Sequence, residues 1–282
     1  MLEKRTKWIF MSCAFTAGFI FLQMGLYLLH VLLGWKIGFN LIELCKYGVR
    51  SLGFSSIDYF LDVLVFYTIF LFIWKFFRQM VISIKMYKKL LVYQHETLTN
   101  EMNQKYNSEK QDFSVICSTH PVAMTIGFFN PKIILSTGLL GLLEEKEVEA
   151  VIHHEQHHKD HYDPLKNFLL HLFAAVMWYI PILKWLQQRH KILTEVLADN
   201  YAIKRLGTSV TLGNALMKLL KNGYSTQMSF SYVSFADTSI NYRIKKLIDP
   251  KTEFSMKLPI TSTIISLFMI ILLCAMFVVV LF

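Results

Sequence analysis

Cysteine is scarce in this chain, and charge is missing from two long stretches of it. The four cysteines show no paired spacing, which argues against a disulfide framework and against a cysteine-ligated metal. No charged residue lies between Lys7 and Lys36, or after Lys257. Each uncharged stretch is apolar and long enough to cross a lipid bilayer, so the sequence predicts a membrane protein.

A third apolar segment covers about residues 57–77. Asp58 and Asp62 lie near its start, and Lys75 and Arg78 lie at its other end. Charged side chains are costly inside the hydrocarbon, so the two acids face either a partner helix or water at the membrane surface. We favour the surface.

The placement of lysine and arginine predicts how the spans are oriented. Basic residues precede the first span and follow the second, which favours the cytoplasm for both flanks. We therefore expect a multi-pass protein of the cell membrane with its N-terminus and its central domain inside, and with its C-terminus outside. The first span is too long for a cleaved signal peptide and is expected to be a signal anchor. The net charge of +9 fits contact with anionic lipid and not direct binding of nucleic acid, because the basic residues follow the membrane boundaries.

The most informative motif is His154-Glu155-Gln156-His157-His158, which fits the zinc-binding pattern His-Glu-x-x-His. Residues 142–152 lead into it without Gly or Pro and with apolar residues at helical spacing, so the motif is expected on a helix. One helical turn separates His154 from His158, and both imidazoles can reach one ion. Glu155 would then lie beside the metal as a base.

Two other histidine pairings compete with this frame. His153 and His157 are also four residues apart, and His161 follows one turn later, but only His154 is followed directly by a glutamate. The alternative is a histidine cluster that binds metal incidentally or forms a solvated face.

A catalytic zinc needs a third protein ligand and an open fourth position. Residues 192–202 are predicted to form a second helix that carries Glu195 and Asp199 one turn apart. We predict Glu195 as the third ligand and Asp199 as the group that orients a ligand histidine through its other ring nitrogen. On spacing alone, a surface Glu and Asp on an ordinary helix remain an alternative.

Several of these segments together resemble one known family, the integral-membrane zinc peptidases of the BlaR/MecR antirepressor type. The resemblance runs from about residue 120 to 207, and more loosely to residues 243–247. It is carried by residues 127–136, His154 to His158, Asp163, residues 178–185, Glu195 and Asp199. It implies a gluzincin site with one Zn²⁺ per chain on His154, His158 and Glu195, with Glu155 as catalytic base and Asp163 beside the site.

The resemblance also implies the fold and the domain order. We expect an α-helical membrane protein with an α+β zincin-like metallopeptidase domain inserted between transmembrane helices. Residues 1–79 would form the membrane region with two spans, residues 80–257 the cytoplasmic zinc domain, and residues 258–282 the last span. Within the domain, two short strands are predicted at residues 115–117 and 132–135.

The apolar stretch 168–183 lies between the histidines and Glu195. A single crossing of the membrane there would place Glu195 on the side opposite the zinc. We therefore expect a helix over about residues 168–185 that is buried in the domain or lies on the membrane surface.

The sequence departs from the family at two places. Gln156 and His157 stand where the family has an apolar and a small residue, so His157 would crowd or supplement the site. The extracellular penicillin-binding sensor domain of the antibiotic-sensing members has no counterpart in this sequence, so a β-lactam receptor is not expected.

These features predict a membrane-embedded zinc endopeptidase acting on a protein or peptide, and the resemblance suggests a cytoplasmic transcriptional repressor as its target. The sequence leaves open whether the chain forms an oligomer. A metallopeptidase also needs a donor for the oxyanion, and the sequence does not choose among several residues. These candidates are His161, Tyr201, Tyr242 and Arg243.

Two alternatives remain. One is a membrane-protein quality-control protease resembling HtpX, which places two spans between the histidine pair and the third ligand, where this chain has room for none or one. The other is a non-catalytic membrane signalling protein with a structural zinc site. Structural zinc usually has four protein ligands, commonly with cysteine, and no cysteine lies near this motif.

Overall fold

The computed structural model describes residues 2–33, 55–106, 111–222, 236–249 and 257–274, which are mostly helical with one small sheet. The helices are α1 (Leu2–Leu33), α2 (Ser55–Val92), α3 (Glu96–Lys105), α4 (Thr137–Leu142), α5 (Glu145–Asp160), α6 (Asp163–Val176), α7 (Pro181–Leu206), α8 (Val210–Lys221), α9 (Ala236–Ile248) and α10 (Ile260–Cys274). The strands are β1 (Phe113–Ile116), β2 (Ala123–Ile126) and β3 (Lys132–Ser136). The polar sequence of residues 222–235, with a glycine and several serines, predicts an irregular loop near the site, and nearly all of it lies outside the described residues.

The chain divides into two compact units, each made of several chain segments. The first unit comprises Met1–Thr6, Met80–Phe168 and His190–Ser255. The second comprises Lys7–Gln79, Leu169–Arg189 and Met256–Phe282. The sheet and the predicted site residues all belong to the first unit.

The sheet of the first unit has the strand order β1-β3-β2, with β1 parallel and β2 antiparallel to the central β3. Side chains alternate across β3: Ile133 and Leu135 pack on one face with Val151 of α5, whereas Ile134 packs on the other face with Leu90 of α2. Burial on both faces explains why β3 is a continuous apolar run. The sheet thus holds one side of the histidine helix α5.

The described residues contain one strand more than the sequence predicted. The expected strands correspond to β1 and β3, but β2 was missed because Ala123 and Met124 are not among the β-branched and aromatic residues that favour strands. Gly127 ends β2 with a φ of 109°, and a Cβ there would lie 2.8 Å from the backbone oxygen of Asn130. Only glycine fits this turn into β3 without strain.

Helix α5 begins at a well-defined cap. The Glu147 side chain accepts a hydrogen bond from the backbone N–H of Glu144 at 2.9 Å, and Lys218 of α8 contacts Glu147 at 2.7 Å. Buried Ala150 of α5 and Ala202 of α7 belong to one hydrophobic cluster. This cluster links α5 and α7, the two predicted site helices.

In the described part of the chain, two helical stretches are apolar and long enough to be candidate membrane spans, Leu2–Leu29 and Asp62–Val92. Within the second unit, Tyr27 of α1 donates a hydrogen bond of 2.5 Å to Asp62 of α2. The sequence left a partner helix or the membrane surface open for Asp62 and favoured the surface; the structure gives the carboxylate a partner on another helix. The predicted last span is described only as α10, since residues 275–282 lie outside the described part.

The apolar stretch 168–183 forms two helices joined by a short turn and not the one helix that was expected. Helix α6 ends at Val176, and α7 begins at Pro181, a residue well suited to the first position of a helix. The hydroxyl of Ser266 in α10 accepts a hydrogen bond from the backbone N–H of Ile182 at 2.9 Å. Residues Leu169–Arg189 belong to the second unit, while the chain on both sides of them belongs to the first.

We predict that His190 makes the first unit sensitive to acid. It is 1% exposed, and its Nδ1 lies 3.2 Å from Oδ1 of Asn167. Burial lowers the pKa of His190 from 6.5 to about 4, so the folded protein keeps it neutral while the unfolded chain takes up a proton. Stability contributed by neutral His190 is therefore complete above pH 6.5 and is lost as the pH falls toward 4.

The measurement is the Tm of detergent-purified protein between pH 7 and pH 5. The variant His190→Gln should show a shallower fall in Tm than the wild type, whereas His120→Gln, at an exposed position, should follow the wild type. Parallel curves for wild type and His190→Gln would contradict the assignment.

Candidate active site

Three side chains on two helices converge on one point. His154 and His158 of α5 have their Nε2 atoms 3.1 Å apart. Glu195 of α7 places Oε2 3.5 Å from Nε2 of His154 and Oε1 3.8 Å from Nε2 of His158. Ligands at 2.0–2.1 Å from a tetrahedral zinc are separated by about 3.3 Å, so these distances suit a single ion.

The donor set fits a catalytic zinc. Two imidazole nitrogens and one carboxylate are typical ligands of such a site, and they leave one coordination position open. A second group of potential ligands, His157, His158 and Asp163, shares His158 with the first. Its use would require the His158 nitrogen that faces Asp163, so the group containing Glu195 is the better fit.

Each ligand histidine has a buried carboxylate behind it. Asp199 Oδ1 lies 2.9 Å from Nδ1 of His154, in ion-pair contact and off the line of a straight hydrogen bond. Asp163 Oδ2 lies 2.9 Å from Nδ1 of His158. Both contacts direct the Nε2 atoms toward the proposed metal. The structure thus puts Asp199 and Asp163 where the sequence expected them.

Arg243 of α9 joins this cluster from a distant part of the chain. Its Nε and Nη2 donate hydrogen bonds to the two oxygens of Asp199 at 2.8 and 2.7 Å, and its Nη1 donates to Glu195 Oε2 at 3.1 Å. This two-pronged contact is the geometry that guanidinium groups form best with carboxylates. The sequence suggested Arg243 as an oxyanion donor, but these contacts make it a residue that fixes the two carboxylates.

The electrostatics of the site favour a cation. Burial and the charge of Arg243 lower the pKa of His154, but contacts with Asp199 and Glu195 outweigh them and raise it to about 9. Burial raises the pKa of Glu195, yet His154, His158 and Arg243 outweigh burial and hold that pKa well below its usual range. A divalent ion would replace the protons that these carboxylates draw onto the histidines.

Glu155 is buried next to the two ligand histidines and is directed toward the sheet. The hydroxyl of Thr125, on β2, lies 2.7 Å from Oε2 of Glu155. Nothing in the sequence pointed to Thr125, because a threonine in an unrecognised strand belongs to no motif.

The remaining predicted residues lie around the histidine helix. His157 turns away from the Glu195 group and stacks on His161 at 4.0 Å between ring centroids. Burial, together with the neighbouring histidines His161 and His158, lowers the pKa of His157 to about 4. The Tyr201 hydroxyl accepts a hydrogen bond from Arg205 at 3.1 Å. Tyr242 is half-buried on α9, next to Arg243, and remains a candidate oxyanion donor.

Comparisons with known proteins find similarity to one family of peptidases. The profile described as "BlaR1 peptidase M56" matches residues 49–247 of the chain. Similar curated proteins include the "Methicillin resistance mecR1 protein" of Staphylococcus aureus and that of Staphylococcus epidermidis, both 25% identical over 126 residues. The matched region is 43% of this chain and 22% of each relative, so it spans about a fifth of the relatives' length.

We predict that Asp199→Asn and Asp163→Asn each weaken zinc binding. Either change keeps the shape of the side chain but removes the charge that orients a ligand histidine, and loss of such a partner typically costs about 10- to 100-fold in metal affinity. Competition with a chromophoric zinc chelator gives the Kd. The control Asp160→Asn, at an exposed position near the end of α5, should bind zinc like the wild type. Wild-type affinity in both test variants would contradict the assigned roles.

Proposed function

Because this chain belongs to the BlaR1-type M56 peptidase family, we propose that it is a membrane-embedded zinc endopeptidase. The observation that carries the proposal is the His154, His158 and Glu195 group, with a carboxylate behind each histidine and with Glu155 beside it. A site of two histidines and one carboxylate keeps a position open for chemistry, unlike a closed structural zinc site.

The residues divide the work of peptide hydrolysis. His154, His158 and Glu195 would hold the zinc, which when bound polarises the scissile carbonyl and lowers the pKa of water to about 7. Glu155 accepts a proton from the attacking water and then delivers it to the leaving amine. Asp199, Asp163 and Arg243 keep the ligands in place during both transfers.

The sheet supplies a means of holding the substrate backbone. β2 is an outer strand of the described sheet, pairs with β3, and contacts Glu155 through Thr125. An extended peptide that adds to this edge would be held by main-chain hydrogen bonds next to the catalytic base. Main-chain hydrogen bonds do not depend on the identity of the substrate's side chains, so this mode of binding suits a protein or peptide substrate.

Residues Leu169–Arg189, the helical hairpin formed by the end of α6 and the start of α7, bear on how a membrane protein could assemble this site. The chain leaves the first unit after Phe168 and rejoins it at His190, so the histidine pair and Glu195 belong to one unit. We propose that residues 80–257, apart from this hairpin, form a zinc domain on the cytoplasmic side. Residues 1–79 and 258–282 would contain the spans of a multi-pass protein of the cell membrane, with its lipid contacts.

The proposed target is a cytoplasmic transcriptional repressor, in keeping with the antirepressor resemblance of the sequence. The relatives are described as methicillin resistance proteins, and the match covers only part of them. The target is therefore proposed from the family and from the proposed cytoplasmic orientation of the domain, and not from contacts.

An HtpX-like quality-control protease remains the second candidate, because two helices lie between the histidine pair and Glu195. From the sequence, the segment between His158 and Glu195 had room for at most one span. The structure has two helices there, α6 and the first part of α7. Helix α6 has 14 residues, fewer than the roughly 20 residues that a helix needs to cross a bilayer. The shortness of α6 favours the antirepressor type, whereas α7, with 26 residues, is long enough to cross.

We predict that Glu155→Gln keeps zinc but abolishes cleavage, because the amide keeps the shape of the side chain and cannot accept the proton. His158→Ala should lose zinc and cleavage together. Zinc content is measured by elemental analysis of detergent-purified protein, and cleavage is measured on casein and on the protein itself. Glu149→Gln, a half-exposed position on the same helix, is the matched control and should keep both properties. Undiminished proteolysis by Glu155→Gln would refute the role of Glu155.

A further inference from the structure

Thr125 makes a polar contact across the gap between the sheet and the histidine helix. Its hydroxyl oxygen lies 2.7 Å from Oε2 of Glu155 and 3.0 Å from the backbone oxygen of Glu155. Glu155 itself is 7% exposed. A buried carboxylate is held most firmly by a donor of this kind, because hydrogen bonds to charged groups are stronger than those between neutral groups.

We propose that Thr125 is a positioning residue that aligns the carboxylate of Glu155 for catalysis, an inference that rests on the proposed peptidase function. A threonine hydroxyl has one hydrogen to donate. Donation to Oε2 fixes the rotation of the carboxylate and leaves Oε1 for the attacking water. The branched side chain of threonine restricts χ1, so the hydroxyl keeps its direction from the strand.

The register of the sheet also determines where the backbone N–H and C=O of Thr125 point. Ser136 donates its backbone N–H to the Val122 oxygen at 2.9 Å, which makes this a hydrogen-bonded pair of the antiparallel ladder. Such pairs alternate along the ladder, so the pair Thr125 and Ile133 is not hydrogen-bonded. The N–H and C=O of Thr125 therefore point away from β3, toward the outer edge of β2.

This geometry makes one residue the link between peptide binding and proton transfer. A peptide added along the outer edge of β2 would meet the backbone of Thr125, while the hydroxyl of the same residue holds Glu155. The position of the base is thus set relative to the strand that receives the substrate. Loss of the hydroxyl should leave the edge intact and disturb only the base.

The first test separates turnover from binding, with fluorescein-labelled casein as substrate. Thr125→Val removes the hydroxyl at nearly constant volume and should lower kcat by about 10- to 100-fold, the usual cost of losing a supporting hydrogen bond, with little change in KM. Thr125→Ser keeps a hydroxyl and should retain most of the wild-type kcat. Zinc content should be unchanged in both variants. Thr119→Val, at an exposed position, is the matched control.

The second test does not depend on activity. A double-mutant cycle in Tm compares the effect of Thr125→Val in the wild type with its effect in Glu155→Ala. If the contact holds Glu155, the fall in Tm caused by Thr125→Val should be at least halved when Glu155 is absent. A structural role that acts only through the Glu155 backbone oxygen would give the same fall in both backgrounds.

The outcomes distinguish this inference from the proposed function. An active wild type with unchanged kcat in Thr125→Val, or strictly additive Tm effects, would overturn the role of Thr125 and leave the peptidase assignment standing. A wild type that binds zinc but cleaves neither casein nor itself would count against the peptidase proposal. The Tm cycle would then still decide whether Thr125 holds Glu155.

Discussion

The buried contact of Arg243 with Asp199 and Glu195 is the constraint on which the site depends. Without the guanidinium, the buried Asp199 and the partly buried Glu195 would lie on one helix without their arginine partner, and removing one partner of a buried ion pair typically costs about 3–5 kcal/mol. Asp199 in turn faces His154, and Glu195 faces both ligand histidines. The position of α9 against α7 is therefore coupled to the positions of the proposed zinc ligands.

The sequence predicted the parts of the site that are local. His154, Glu155 and His158 follow from spacing on one helix, and Glu195 with Asp199 follows from spacing on another, because residues one turn apart share a face. Family membership was also confirmed, by a match to residues 49–247. The ligand roles themselves stay predictions, although the structure brings these side chains within reach of a single ion.

What the sequence could not supply depends on contacts between distant segments. The bidentate hydrogen bonds of Arg243 reach Asp199, 44 positions away in the sequence. The hydroxyl of Thr125 contacts Glu155, 30 positions away. The break between α6 and α7 was missed because an apolar run looks the same with or without a turn inside it. The partner of Asp62 was missed for a related reason, since Tyr27 lies on another helix.

The coordination of zinc tests the central claim most directly. X-ray absorption at the zinc K-edge, on protein purified in detergent and loaded with one equivalent, reports the ligand atoms without requiring a substrate. We expect only nitrogen and oxygen neighbours at about 2.0–2.1 Å, with the outer scattering of two imidazoles, and loss of one protein oxygen ligand in Glu195→Ala. A sulfur neighbour at about 2.3 Å, a third imidazole, or an unchanged spectrum in Glu195→Ala would contradict the proposed site.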